Sequence, residues 1–220
     1  GNGEGANSGK AAMRLGMLLA GVDAARVHGP EVEVSSVAYD SRVVQPGGLF
    51  VALRGEKSDG NRFVAEVVQR GAAAVVSEHP RPDVPAEGAQ AGYWQGMVPP
   101  RVPETVAWVQ VREPRKALAL IAANFYGRPA EALQLAGITG TKGKTTTAYL
   151  VDSIVRASGA KCGLFGTVEY RTPAGTREAK TTTPESLDLQ SFFAEVRDAG
   201  GTHAAFEVSS HALALDRVWG

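Results

Sequence analysis

The chain has 220 residues, which is enough for one large domain or two small domains that each bury a core. Lys plus Arg and Asp plus Glu both number 23, and the resulting zero net charge argues against a nucleic-acid or membrane-surface partner. No apolar run approaches the roughly 20 residues of a membrane span, so membrane insertion is not expected. The single cysteine, Cys162, excludes an internal disulfide and fits the reducing cytoplasm. The classes of protein that remain are small-molecule binders and enzymes. We expect a cytoplasmic monomer.

The first half of the chain reads as a small α/β domain over residues 12–112, after a Gly-rich, polar leader (1–11) that is predicted to be disordered. Apolar patterning and turn residues predict helices at 13–19 and 63–71. They also predict strands at 32–37, 49–53, 73–76 and 106–111. Residues 80–104 contain six prolines and no periodic pattern, which predicts an excursion loop.

The second domain is predicted to begin at residue 113 and to run to residue 220. A helix starts at Pro114, a short buried strand covers 133–138, and an apolar strand-like segment covers 162–165. A further helix is expected to begin with Thr183 at its N-cap, and a strand follows at 204–208. Repeated strand–helix pairs imply a mostly parallel sheet covered on both faces, so the fold class is α/β.

A glycine-rich loop follows the strand at 133–138 and opens a helix over 145–157, whose apolar residues are Leu150, Val151, Ile154 and Val155. Strand, glycine loop and helix form the context that a phosphate-binding loop requires, because backbone N–H groups and the helix N-terminus both attract an anion. The lysine of the loop supplies a positive charge for the β- and γ-phosphates, and the next threonine offers a hydroxyl to Mg²⁺. The predicted ATP-binding residues are Thr139, Gly140, Thr141, Lys142, Gly143, Lys144, Thr145 and Thr146.

Glu207 ends the predicted strand at 204–208, about 60 residues after this loop. A carboxylate at that place can hold Mg²⁺ directly or through water, as in other phosphate-loop folds. We therefore predict Lys144 and Glu207 as catalytic residues, and Thr145 and Glu207 as the metal-binding residues. The alternative for Glu207 is a solvated residue at a strand end.

Four motifs occur in an order that resembles the Mur ligases, and in particular their E-type branch, which adds the third residue of the peptidoglycan stem. The loop Gly-Thr-Lys-Gly-Lys-Thr (140–145) is similar to their ATP loop. The other three motifs are Asp40-Ser41-Arg42 with the Pro-Gly-Gly-Leu-Phe-Val-Ala-Leu run (46–53), Thr-Thr-Thr-Pro (181–184), and Glu-Val-Ser-Ser-His-Ala-Leu (207–213) with Arg217. The resemblance covers residues 12–220. It implies a small uridine-nucleotide-binding domain followed by an incomplete ATP-binding domain.

The resemblance also implies substrate contacts in both domains. Tyr39 and Ser41 match the uridine pocket, and Glu56, Lys57 and Ser58 match a loop near the diphosphate. The residues that match contacts to the sugar and the peptide are Thr181, Thr182, Thr183, Ser209 and Arg217. His211 is expected to be a satisfied buried histidine.

The chain departs from the family pattern at four positions. Ile138 replaces the first glycine of the common phosphate loop, and Lys142 stands where most members have asparagine. Thr181 also stands where asparagine is frequent. Leu215 replaces a substrate-contacting glutamine, so it is left out of the predicted site.

By resemblance, the reaction is ATP- and Mg²⁺-dependent amide formation. It adds meso-diaminopimelate or L-lysine to UDP-N-acetylmuramoyl-L-alanyl-D-glutamate through an acyl phosphate. The family's carbamylated lysine and amino-acid-binding domain match no part of this sequence, so we expect no turnover by the isolated chain. Three alternatives remain: another Mur or folylpolyglutamate-type ligase, a nucleotide-binding module without catalysis, and a phosphate-loop small-molecule kinase.

Overall fold

The computed structural model describes residues 11–55, 58–82, 94, 99–179 and 184–219. The chain forms two compact units that divide between Ile121 and Ala122, inside the helix α3 (Pro114–Phe125). In the described part of the chain, no helix is long and apolar enough to cross a membrane.

The first unit is built on a five-stranded sheet with the order β2–β7–β6–β5–β4. Strands β4 to β7 are parallel, β2 is antiparallel to β7, and β1 and β3 form a separate antiparallel pair. The strands are β1 (Met13–Arg14), β2 (Ala24–His28), β3 (Glu33–Val34), β4 (Ser36–Ala38), β5 (Gly48–Val51), β6 (Ala74–Ser77) and β7 (Ala107–Val111). The helices are α1 (Leu15–Leu18), α2 (Val64–Gln69) and two 3₁₀ turns, Ser41–Val43 and Gly60–Phe63.

The core of the first unit explains why its central strands are continuous apolar runs. Every residue of β5, β6 and β7 is buried, as expected for parallel strands covered on both faces. Phe50, Val75 and Trp108 from these strands pack with Val64 and Val67 of α2.

The second unit also contains a five-stranded sheet, with the order β11–β10–β9–β12–β8. Strands β8, β12 and β9 are parallel, and β10 and β11 extend the sheet as an antiparallel hairpin. The strands are β8 (Gln134–Ile138), β9 (Cys162–Phe165), β10 (Glu169–Thr172), β11 (Gly175–Glu178) and β12 (His203–Glu207). The helices are α4 (Lys144–Ala157), α5 (Ser186–Asp198) and α6 (Ser210–Ala214).

Helices α4 and α5 cover opposite faces of this sheet. Side chains alternate along each strand, so successive residues of a strand contact different helices. Leu164 and Ala205 face α4 and pack near Ala148. Phe165 and Phe206, each one position further along its strand, belong instead to the cluster of α5. The sheet is therefore a central layer between two helices, as the sequence predicted.

The α/β class and the parallel sheets are confirmed, and two details of the prediction are wrong. The segment 13–19 forms a two-residue strand and a short helix, because Met13 and Arg14 pair with β3. Helix α5 begins at Ser186 with Glu185 at its N-cap, and not after a Thr183 cap. On α4, Val151 and Val155 face the sheet, while Leu150 and Ile154 are exposed.

Candidate functional site

The carboxyl ends of three parallel strands meet at one edge of the second sheet. Glu207, the last residue of β12, lies opposite Ile138, the last residue of β8, and Val208 N–H donates to the Ile138 carbonyl at 2.8 Å. On the other side of β12, Phe206 is in register with Phe165, the last residue of β9. Ligands of open α/β sheets bind outside such carboxyl ends, so the loops that follow these strands form the candidate site.

The loop after β8 has the backbone of an anion-binding turn. Gly140 and Gly143 have φ of +145° and +80°, values that side chains disfavour, and Gly143 is the N-cap residue of α4. The loop residues from Thr139 to Gly143 are exposed. The first N–H groups of the 14-residue helix α4 therefore begin at an open, glycine-shaped turn, as the sequence predicted.

Lys144 lies at the first position of α4 and folds back over the loop. Its Nζ donates to the Gly140 carbonyl at 2.7 Å. This hydrogen bond holds the ammonium group against the turn. Thr141, Lys142 and Thr146 are exposed around the same turn.

Glu207 is 1 % exposed, and its carboxylate is held from two sides. Thr145 Oγ1 donates to Glu207 Oε2 at 3.1 Å from the first turn of α4. Thr167 donates twice from the turn after β9: its N–H to Oε1 at 2.9 Å and its hydroxyl to Oε2 at 3.2 Å. A Cβ at Gly166 would lie 2.6 Å from Oε1, so a side chain there would displace the carboxylate. Glu207 therefore belongs to the site and is not a solvated residue at a strand end.

Thr167 was missed by the sequence analysis. It lies 22 residues after Thr145 and 40 before Glu207, in a stretch without a recognised motif. The β9–β12 pairing brings it to the site, and that pairing is a property of strand order. The sequence signal that could have found it is its place two residues after an apolar strand, Cys162–Phe165, where parallel sheets carry functional loops.

The donor set fits Mg²⁺ in a nucleotide-assisted site. A carboxylate oxygen and a threonine hydroxyl lie 3.1 Å apart beside the glycine turn, and both are hard oxygen ligands of the kind that Mg²⁺ prefers. Among the described residues, no cluster of three or more His, Cys, Asp and Glu is arranged to hold a metal by itself.

The segment after Glu207 contains two of the predicted substrate residues. Ser209 caps α6, its Oγ accepting the Ala212 N–H at 3.1 Å. Arg217 follows the left-handed residue Asp216, and its Nε lies 3.1 Å from Glu185 Oε1. His211 is exposed on α6, so the expectation that it is buried was wrong.

In the first unit, the predicted uridine residues also lie beyond the carboxyl end of a parallel strand. Tyr39 and Ser41 directly follow β4, and Ser41 is buried in the first turn of a 3₁₀ helix that Asp40 caps. Asp40 Oδ1 accepts the Arg42 N–H at 3.0 Å and Arg42 Nε at 2.9 Å, and these hydrogen bonds lower the pKa of the Asp40 carboxyl. Arg70 Nη1 donates to the Ser41 carbonyl at 3.2 Å, which fixes the turn from outside.

Ser58 lies in the loop that follows the neighbouring strand β5. Gly55 N–H donates to the Ser58 carbonyl at 2.9 Å, and Gly60 N–H donates to the Leu53 carbonyl, so the loop closes on itself. Because β4 and β5 are parallel neighbours, Ser41 and Ser58 follow strands that end at the same sheet edge. Glu56, Lys57, Thr181, Thr182 and Thr183 lie outside the described residues.

Two family models match this chain and together cover most of it. The Mur ligase family catalytic domain matches residues 33–126, and the Mur ligase middle domain matches residues 138–220. The second match contains the phosphate loop, Thr167 and Glu207. The chain belongs to the Mur ligase family. Its sequence-derived assignment to this family is confirmed.

Several curated proteins with similar sequences share the name UDP-N-acetylmuramoyl-L-alanyl-D-glutamate--2,6-diaminopimelate ligase. The protein of that name from Solibacter usitatus is 48 % identical over 94 % of this chain and 39 % of its own length. The one from Alkaliphilus metalliredigens is 37 % identical over 94 % of this chain and 38 % of its own length. The chain thus spans well under half the length of these relatives.

Solved structures support the fold. A MurF from Acinetobacter baumannii superposes with a TM-score of 0.58 at 23 % identity, covering 91 % of this chain and 36 % of that chain. A structure described as UDP-N-acetylmuramoyl-L-alanyl-D-glutamate--2,6-diaminopimelate ligase gives a TM-score of 0.58 at 24 % identity, covering 84 % and 34 %.

Proposed function

We propose that this chain is the nucleotide-binding part of an ATP-dependent Mur ligase of peptidoglycan precursor synthesis. The proposed reaction joins 2,6-diaminopimelate to UDP-N-acetylmuramoyl-L-alanyl-D-glutamate, with ATP and Mg²⁺ as cofactors. The names of the relatives favour diaminopimelate over L-lysine as the added amino acid. A cytoplasmic monomer stays the prediction for location and assembly.

One observation supports this proposal most strongly: Lys144, Thr145 and Glu207 converge beside an anion-binding turn. The turn supplies N–H groups and helix potential for phosphates, while the buried carboxylate and the threonine hydroxyl offer oxygen ligands at 3.1 Å from each other. A glycine turn that merely connects a strand to a helix has no need of a buried, threefold hydrogen-bonded carboxylate at its side.

The roles of the chain's own residues follow from this geometry. Lys144 would exchange the Gly140 carbonyl for the β- and γ-phosphates of ATP and neutralise charge as the γ-phosphoryl group leaves. Thr145 and Glu207 would hold Mg²⁺, which screens the phosphate charges when it is bound. Thr167 would keep the Glu207 carboxylate turned toward α4. The chain therefore orients the triphosphate and contributes no nucleophile of its own.

The proposed reaction has two steps, phosphorylation of the carboxylate and attack by the amine. A carboxylate oxygen of the D-glutamyl residue attacks the γ-phosphorus of ATP, and ADP leaves. The amine of the amino acid then attacks the acyl phosphate carbon, loses a proton, and inorganic phosphate departs from the tetrahedral intermediate. In this scheme Tyr39, Ser41 and the loop 56–58 hold the uridine diphosphate. The segment 181–183, Ser209 and Arg217 hold the sugar and the peptide.

Calorimetric titration of this chain tests the proposal without requiring turnover. We expect saturable binding of UDP-N-acetylmuramoyl-L-alanyl-D-glutamate, weaker binding of UDP, and separate binding of Mg²⁺-ATP. Ser41→Ala should weaken both uridine ligands and leave ATP binding unchanged. Lys144→Ala should weaken Mg²⁺-ATP about tenfold or more, the affinity change expected when one charge-assisted contact is lost. Lys161→Ala, an exposed lysine after α4, is the control.

Competing ligands separate this function from its relatives. Equal or tighter binding of the UDP-muramoyl tripeptide, or of a folate, would replace the proposal by another amide ligase. ATP binding without any affinity for uridine ligands would favour a small-molecule kinase or a nucleotide-binding module.

A further inference from the structure

The Arg217–Glu185 ion pair connects two segments of the second unit that are far apart in sequence. Arg217 Nε lies 3.1 Å from Glu185 Oε1, and the two side chains are 23 % and 11 % exposed. Glu185 directly follows Pro184, at the end of the Thr-Thr-Thr-Pro motif. Arg217 ends the Ser-Ser-His-Ala-Leu motif region. The pair therefore joins the two segments to which the proposed function assigns the sugar and peptide.

Both partners have fixed backbones. Glu185 is the N-cap residue of the 13-residue helix α5, and its carbonyl accepts the N–H groups of Asp188 and Leu189. Arg217 follows the left-handed Asp216 (φ +51°), and its N–H donates to the Ala212 carbonyl at 3.0 Å, closing the end of α6. The ion pair therefore joins side chains that extend from two backbone positions held by hydrogen bonds.

We propose that Glu185 is a positioning residue for Arg217 in substrate recognition, an inference that rests on the proposed function. The guanidinium group recognises a carboxylate or a phosphate with a planar fork of donors, so its use depends on the direction of that plane. Glu185 Oε1 lies 3.1 Å from Nε, so the negative charge of Glu185 attracts that side of the guanidinium group. Glu185 itself does not touch the substrate in this scheme.

The same helix offers a matched control. Glu195, three turns further along α5, accepts from Arg177 Nη1 at 2.9 Å and from Arg177 Nη2 at 3.1 Å. Glu195→Gln therefore removes a comparable carboxylate from the same helix, in an ion pair that touches neither motif.

The experiment is a double-mutant cycle read by calorimetry with two ligands, UDP-N-acetylmuramoyl-L-alanyl-D-glutamate and UDP. We expect Arg217→Ala and Glu185→Gln each to weaken the full substrate about tenfold, the scale of one hydrogen bond to a charged group. The double variant should bind no more weakly than Arg217→Ala, because Glu185 acts only through Arg217. Affinity for UDP should stay unchanged in all variants, as should both affinities of Glu195→Gln.

Three results would overturn the inference. The first is a wild-type affinity of Glu185→Gln for the full substrate. The second is a double variant whose loss of affinity equals the product of the two single losses. The third is an equal loss of UDP affinity, which would indicate general disruption. A wild-type chain that binds UDP but not the muramoyl dipeptide would instead refute the proposed substrate assignment. If Glu185→Gln does not fold, as judged by circular dichroism, Glu185→Asp makes the same comparison with the charge kept and the arm shortened.

Discussion

A buried carboxylate needs donors, and those donors determine where it points. Glu207 is 1 % exposed, yet three hydrogen bonds from Thr145 and Thr167 replace the water that it loses. Oε2 is the oxygen nearest α4, and both hydroxyl groups converge on it. Thr167 thus does for Glu207 what Glu185 is proposed to do for Arg217: it orients a charged group that a ligand will use.

Thr167→Val should separate the contribution of the Thr167 hydroxyl group from that of its backbone N–H group. Valine keeps the shape of the side chain and the N–H bond to Oε1, but it removes the hydroxyl group from Oε2. We expect the gain in ATP affinity on adding Mg²⁺ to fall about tenfold, the lower end of losses when a residue supporting a metal ligand is removed. Calorimetry with and without Mg²⁺ measures this.

Thr167→Ser should restore the Mg²⁺ effect, and Thr176→Val, on the exposed strand β11, should not change it. An equal loss of ATP affinity in the absence of Mg²⁺ would contradict the assigned role, because it would mean that the turn itself had changed.

Cys162 is a second residue whose chemistry is decided by burial. It is 1 % exposed on β9, and burial is the main reason why the pKa of its thiol rises from 9.0 to about 11. We expect no reaction with a thiol reagent at pH 8 in the native protein and rapid reaction in urea. Fast modification of the native chain would contradict this.

The direction in which the free energy of unfolding changes with pH follows from the same shift in the pKa of Cys162. An unfolded chain loses the thiol proton near pH 9, while the native chain keeps it to about pH 11. The free energy of unfolding should therefore hold below pH 9 and fall as the pH rises toward 11, and Cys162→Ala should lack that component.

At the scale of elements, β9 and α5 pack closely against each other at Gly163. A Cβ at Gly163 would lie 2.3 Å from Val196 Cγ2 and 3.0 Å from Phe192 Cζ. Both of those side chains are fully buried in the cluster that covers this face of the sheet. The glycine thus sets how near the helix can approach the sheet, and β9 in turn carries Thr167 to the site.

Gly163→Ala should lower the free energy of unfolding by about 1–3 kcal/mol, the usual cost of overpacking a core. Gly175→Ala is the control, since nothing lies within 4 Å of the Cβ it would add on β11. Urea denaturation of both variants measures the difference. Equal stability of the two variants would show that α5 can move away without cost.

Elements with a local signal were predictable from the sequence, and elements stabilised by distant contacts were not. The phosphate loop and α4 follow from glycine positions and helical periodicity within 20 residues. The β10–β11 hairpin has an exposed second strand and no apolar alternation. It is fixed by Arg171, whose Nη1 donates to the buried Asp152 of α4 at 2.8 Å. This contact joins residues that are 19 positions apart and depends on the order of the strands, so the local sequence pattern cannot predict it.

At the scale of the molecule, each unit presents its candidate residues beyond the carboxyl ends of parallel strands. In the first unit these strands are β4 and β5, and in the second they are β8, β9 and β12. The repetition reflects the physics of parallel sheets, in which the loops at one edge collect residues distant in sequence. Two separate edges of this kind predict two ligands that bind to different parts of the chain.

This division leads to a prediction that hydrogen exchange can test. A ligand that binds only the folded state stabilises its own unit, by about 2.7 kcal/mol when present at 100 times its Kd. Mg²⁺-ATP should slow exchange in the segments 138–150 and 203–208, and UDP should slow exchange in 36–43 and 48–55. Lys144→Ala should reduce the protection by Mg²⁺-ATP and leave the protection by UDP unchanged, because Lys144 belongs to the loop of the second unit. Protection of the same segments by both ligands would contradict the assignment of one nucleotide to each unit.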